Sequence, residues 1–123
     1  MKAETLHNQA MKLAQEGFVI KLKGDILASQ PYFLDALGYE KDAINLYEKE
    51  GNAEPWRSVL LRSAASLALD CQQLNEAEKL AIKGLDGNPP HEIEEELWDI
   101  LLKVKSHSEW FKEKIRSSME FAA

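Results

Sequence analysis

The residues of this sequence whose side chains could do chemistry are few and widely separated. The histidines His7, His91 and His107 form no His-x3-His pair, which argues against a metal site. The single cysteine, Cys71, has neither a nearby histidine nor a Cys-x-x-Cys partner, so a small buried residue is expected rather than a nucleophile. The serines of residues 58–66 lack the flanking glycines of a nucleophile elbow. We therefore predict a protein that is not an enzyme and that uses no cofactor or metal.

Length, charge and cysteine content define the class of protein. A chain of 123 residues is expected to form one domain, residues 1–123, with an ordinary core. The net charge of −6 argues against nucleic acid and anionic membranes as partners, because both favour basic surfaces. One cysteine without a partner suits a reducing compartment, and neither a secretory signal nor a membrane-length apolar run is apparent. The sequence predicts an acidic cytoplasmic domain.

Apolar residues at three- and four-residue steps predict a first helical hairpin over residues 4–50. Its first helix ends at Gly24-Asp25, where the glycine suits a left-handed C-cap and the aspartate can cap the next helix. The second helix is expected to run to about Glu50, although Pro31 could shift its start or kink it. A turn at Gly38 is the alternative. One long helix is favoured, because a lone glycine inside a helix costs only ~1 kcal/mol.

A second hairpin is predicted over residues 55–88. Pro55 suits the first turn of a third helix that extends to about Gln72, and Asn75 is expected to N-cap a fourth helix that ends near Leu85. The breaker Gly87-Asn88-Pro89-Pro90 follows. A fifth helix, residues 90–105, has glutamates in its early turns and lysines at its end, as the helix dipole favours.

Small residues in the second hairpin have the spacing of a helical repeat. The positions that follow the 34-residue tetratricopeptide (TPR) pattern are Leu61, Ala64, Ala65, Ala68, Ala77, Ala81 and Pro89. About half the chain, in segments 54–71, 77–80, 84–90 and 92–97, resembles uncharacterised bacterial TPR-like proteins. The resemblance implies an all-α fold of five to six helices, arranged as antiparallel hairpins with a C-terminal solvating helix. It also implies protein–protein interaction, with no catalytic residues.

TPR-like proteins bind partners on the concave face formed by the first helix of each hairpin. The polar and aromatic residues expected on that face are Gln15, Phe18, Lys21, Arg62, Ser66 and Asp70. The resemblance therefore predicts a groove for an unidentified partner helix or extended peptide. Apolar members such as Phe18 could instead belong to the core. Arg62 is expected either to pair with Asp70 or a nearby glutamate, or to be free to bind an acidic group.

Two other functions are compatible with the sequence. A homodimer could form through the tryptophans Trp56, Trp98 and Trp110, and a small ligand-binding helical bundle is a further possibility. The tail, residues 106–123, has Phe111 and Ile115 in an apolar stripe at helical spacing that ends at Met119. We expect a sixth helix that covers the fifth within the same chain. Docking of this tail onto a second copy or a partner is the alternative.

Overall fold

The chain folds into five α-helices. The computed structural model describes residues 2–122, so Met1 and Ala123, the ends of the predicted domain, lie outside it. The helices are α1 (Ala3–Leu22), α2 (Ile26–Lys49), α3 (Trp56–Asp70), α4 (Leu74–Leu85) and α5 (His91–Ala122). Within residues 2–122 there is no strand, and the predicted all-α class is confirmed. None of these helices, over the same residues, combines the length and apolarity needed to cross a bilayer.

The first three helices end in the same Schellman motif. The residue after each C-cap has a positive φ: +94° at Gly24, +126° at Gly51 and +63° at Gln72. The following amide then bonds to the carbonyl five residues back, as from Asp25 to Ile20 at 3.3 Å. Asp25 also accepts a bond from the amide of Ala28 at 3.0 Å, as predicted for an N-cap. Because the connections after α1 and α3 are this short, each joins two antiparallel neighbours.

Helix α2 continues through both residues that could have broken it. Pro31 lies inside the helix and removes one amide donor, which leaves the carbonyl of Leu27 without its usual partner. Leu27 and Pro31 are both exposed, so water can donate a hydrogen bond to the carbonyl of Leu27. Gly38 is helical and exposed, and the alternative turn at this position is wrong. The favoured single long helix is confirmed.

Asn75 does not cap α4, contrary to the sequence expectation. The helix begins at Leu74, one residue earlier, and its N-cap is Gln73, which makes no side-chain capping bond. The cause is the end of α3, where the amide of Gln73 bonds to the carbonyl of Ala68 at 2.8 Å. This bond makes Gln73 the N-cap, two residues before the expected cap, so Asn75 falls inside the first turn of α4.

The two hairpins and α5 pack on rows of small side chains. Ala64, Ala65 and Ala68 of α3, with Ala77 and Ala81 of α4, are all fully buried. Helix α5 then packs against both helices of the second hairpin. Gly84 lets α5 approach closely, since a Cβ there would lie 2.9 Å from Cδ1 of Leu97.

Replacing Ala68 with leucine should lower the free energy of unfolding by ~1–3 kcal/mol. Ala68 is fully buried where α3 meets its neighbours, so added methyl groups would displace the partner helix. Urea denaturation measures the change. The matched control is Ala28→Leu, which adds the same groups at an exposed helical position and should change stability by less than ~0.5 kcal/mol. Equal effects of the two substitutions would contradict this packing.

The tail does not form a sixth helix. Helix α5 is continuous from His91 to Ala122, so the expected boundary near residue 105 and the cap folded back over the fifth helix are both wrong. Residues 91–122 contain no glycine or proline, so nothing interrupts the helix. Of Leu97 and Leu101, the residues that such a cap would cover, Leu97 is buried where α5 packs on α3 and α4, and Leu101 is half-buried.

Candidate functional site

A groove between α1 and α3 brings most of the predicted site residues together. Its volume is about 470 Å³. Its lining comprises Met11, Ala14, Gln15 and Phe18 of α1, Phe33 of α2, Arg62, Ser63, Ser66, Leu67 and Asp70 of α3, and Glu96 of α5. Five of the six predicted residues are therefore in one lining, all except Lys21. The first helices of the two hairpins provide opposite walls of the same groove.

Phe18 projects from the α1 wall of the groove. Its side chain is 55% exposed, so it is not a core residue. Nearby, Met11 is half-buried, while Phe33 of α2 is buried. The groove thus combines an apolar floor with an exposed aromatic ring, which is the kind of surface that an amphipathic helix or extended peptide can cover.

Arg62 is held by an acidic residue of a third helix. Its guanidinium forms an ion pair with the carboxylate of Glu96, on the first part of α5. Both side chains are partly exposed, and ion pairs of this kind contribute only ~0–1 kcal/mol. The pair is therefore easily exchanged for another, and Arg62 can bind an acidic group of a ligand once Glu96 is displaced.

Asp70 lies at the far end of the α3 wall. It is half-buried, and this burial raises the pKa of its carboxyl group, while the positive charge of Lys21 acts in the opposite direction. Lys21 is thus near Asp70 although it is not part of the groove lining. None of the ion pairs formed by the described side chains of residues 2–119 includes Asp70. A cationic group of a ligand would therefore find an available carboxylate here.

A buried pair between α1 and α2 was not predicted. The Nδ1 atom of His7 lies 2.8 Å and 2.9 Å from the two carboxylate oxygens of Glu40, whose side chain is 0% exposed. The ring of Trp56, from α3, meets the imidazole edge-on with 6.0 Å between centroids. The pair thus lies where the two hairpins meet.

The surroundings of this pair affect both proton affinities. The hydrogen bond to Glu40 raises the pKa of His7, although burial of the ring opposes the rise. Burial raises the pKa of the Glu40 carboxyl, and the hydrogen bond to His7 opposes it. Both shifts favour the protonated form, so the folded protein retains a proton in this pair at a pH where the separated groups would lose it.

The sequence contains one feature that indicates a buried carboxylate at Glu40. It occupies the same helical face as Phe33, Ala36, Leu37, Ala43 and Ile44, all of which are buried. A carboxylate in the middle of an apolar face needs a partner, and α1 supplies His7 on its own inward face. The partner itself depends on how α1 and α2 align, which the periodicity does not specify.

Other reactive groups in the described part of the chain have surroundings that disfavour chemistry. Burial raises the pKa of the Cys71 thiol to about 11, so it is almost entirely protonated near neutral pH. Among the side chains of residues 2–119, which the structure describes, no three His, Cys, Asp or Glu groups cluster to hold a metal ion. A second cleft, about 410 Å³, lies beside His7 and Trp56 and also includes Tyr47 and Glu50.

Comparison with known proteins adds no family assignment. The sequence matches no protein-family model, and neither curated proteins nor solved structures give a match. Function is therefore argued from the groove and from the residues that line it.

Proposed function

We propose that this protein is a non-catalytic interaction module that binds a partner helix or extended peptide in the groove between α1 and α3. One observation carries the proposal. Five of the six residues that the sequence predicts for a binding face come from two separate helices, and they line a single groove. The groove joins an exposed aromatic ring, an exchangeable arginine and an unpaired carboxylate. A lone, half-buried cysteine is compatible with a cytoplasmic location.

We further propose a TPR-like arrangement of the helices. Support comes from two hairpins with short connections, from fully buried alanines at the expected close approaches, and from a fifth helix that packs on the second hairpin. In such an arrangement the first helix of each hairpin lines the concave face. This is the role that α1 and α3 have in the proposed site.

Apolar contact and charge have different roles in this proposal. Phe18 and the half-buried Met11 provide the apolar surface that a partner helix covers, and this burial contributes most of the affinity. Arg62 and Asp70 select the partner through charge, since wrong charges at these positions would be left unpaired on binding.

The test uses peptides selected from a random phage-displayed library on the wild-type protein. The affinity of the selected peptides for Arg62→Ala and Glu95→Ala is then measured by isothermal titration calorimetry. Arg62→Ala should weaken binding by about tenfold, the effect of losing about 1.4 kcal/mol of a charge-assisted contact. Glu95→Ala, an exposed change on α5 outside the groove lining, should leave the affinity within about twofold.

Two results would contradict the proposal. One is a reversed ranking, in which Glu95→Ala weakens binding more than Arg62→Ala. The other is a set of peptides whose binding shifts no amide resonance of residues 11–18 and 62–70 in a heteronuclear NMR titration. Either would place the binding surface outside the groove.

A further inference from the structure

The second half of α5 carries an apolar stripe that nothing in the described chain covers. Phe111 is 60% exposed, Ile115 47% and Met119 67%. At about 100° per residue, these side chains lie within about 40° of the direction of Leu97, which is fully buried. The face that packs on α3 and α4 near the start of α5 therefore continues beyond them. We call residues 106–119 of this helix the α5 extension.

The α5 extension cannot reach the groove of its own chain. Glu96 borders that groove, and Ile115 lies about 28 Å further along the same helix at 1.5 Å per residue. An uninterrupted helix cannot fold back over this distance. A contact between the two surfaces has to involve two copies of the chain.

The α5 extension matches the groove in length. Phe111 to Met119 spans about 12 Å of helix, and the groove wall from Arg62 to Asp70 also spans about 12 Å. The wall of the groove is therefore as long as the apolar stripe.

The charges of the two surfaces also suit one another. Lys112 and Lys114 lie on opposite edges of the stripe. The groove offers the carboxylate of Asp70, which is in no ion pair, at one end, and at its rim the carboxylate of Glu96, which is paired with Arg62. In contrast, a parallel pairing of two α5 extensions would bring Lys112 of one copy to the edge that carries Lys114 of the other, which opposes association.

We propose that a second copy of this chain occupies the groove, with the α5 extension of one copy docked between α1 and α3 of the other. Two reciprocal contacts of this kind form a closed dimer. The inference rests on the proposed function in taking the groove as the binding site, and it names the occupant. Phe111, Ile115 and Met119 pack against Phe18 and Met11, and a lysine at the edge of the stripe meets Asp70.

Two variants that disable opposite sides of the contact test this reciprocal docking, which we call the exchange. Phe18→Asp damages the groove, and Ile115→Asp damages the α5 extension; both residues are exposed, so each variant should fold, as circular dichroism checks. Size-exclusion chromatography with light scattering should give twice 13.9 kDa for the wild type and about 13.9 kDa for each variant alone. An equimolar mixture of the variants should form a heterodimer that is weaker than the wild-type dimer. The intact α5 extension of Phe18→Asp docks in the intact groove of Ile115→Asp, while the second contact joins the two damaged surfaces.

The matched control is Leu34→Asp, at an exposed apolar position of α2 outside the groove lining, which should remain dimeric. A monomeric wild type would overturn the exchange. So would a dimer of Ile115→Asp alone or of Phe18→Asp alone, or a mixture in which the two variants fail to bind each other even at concentrations far above those that dimerise the wild type. If the exchange fails while selected peptides still lose affinity on Arg62→Ala, the groove remains the binding site and only its occupant is wrong.

Discussion

Replacing His7 with leucine should lower the free energy of unfolding by about 3–5 kcal/mol at pH 8, the range found when one partner of a buried ion pair is removed. The substitution leaves the Glu40 carboxyl group buried without its hydrogen-bond partner. Leucine fills a similar volume, so the loss reports on charge rather than on a cavity. Urea denaturation at pH 5 and at pH 8 measures the effect.

The sign of the pH dependence follows from the raised pKa values of both groups. In the wild type, the stabilisation from protonated His7 is complete below pH 6.5, the ordinary pKa, and is lost as the pH rises through the higher folded value. The pKa of Glu40 is also raised in the wild type, so its contribution is lost as the pH rises above 4.5. In His7→Leu this loss is larger, because the hydrogen bond from His7 that opposes the rise is gone. The cost of the substitution should therefore be much smaller at pH 5.

Two further variants separate this effect from a general loss of structure. Adding Glu40→Leu to His7→Leu removes the unpaired carboxyl and should restore much of the stability at pH 8. His91→Leu breaks an exposed histidine–glutamate pair on α5 and should cost less than ~1 kcal/mol. A loss of less than ~1 kcal/mol for His7→Leu at pH 8 would show that Glu40 is not buried against His7.

Local chemistry explains which features of the fold follow from sequence. Gly24 suits the positive φ of a Schellman motif, so the turn after α1 could be placed correctly. Gln72 has the same conformation after α3, but a glutamine does not indicate a positive φ. The sequence therefore predicts a later start for α4 than the structure shows. Helical spacing predicts the apolar stripe on α5, but this periodicity describes only the helix that carries the stripe and not the surface that covers it. Which surface covers a stripe depends on packing between distant parts of the chain.

The same distinction applies to the groove. Helical periodicity places Gln15 near Phe18, and Arg62 near Ser66 and Asp70, so each wall could be predicted from its own helix. Glu96 joins them only because α5 crosses beside α3, and that depends on the close packing of Leu97 over Gly84. In the sequence, its glutamate-rich surroundings indicate only the start of a helix, as the helix dipole favours. Partners from a third element are not visible in the pattern of one helix.

Replacing Leu97 with alanine should lower the free energy of unfolding by about 2–5 kcal/mol. Its side chain is 0% exposed, and its Cδ1 packs against Gly84, which has no side chain that could move into the space it leaves. A cavity forms between α5 and the second hairpin, and its walls lose van der Waals contacts. Denaturation in urea measures the loss.

Leu102→Ala is the matched control for this change. It makes the same substitution five residues along the same helix, at a position 64% exposed, and should change stability by less than ~0.5 kcal/mol. Both variants have the same change in helix propensity, so the difference between them isolates the packing of α5 on α3 and α4. Equal losses would mean that α5 does not pack there through Leu97. Glu96 would then have no fixed position beside Arg62, and the groove would lose the part of its rim that α5 provides.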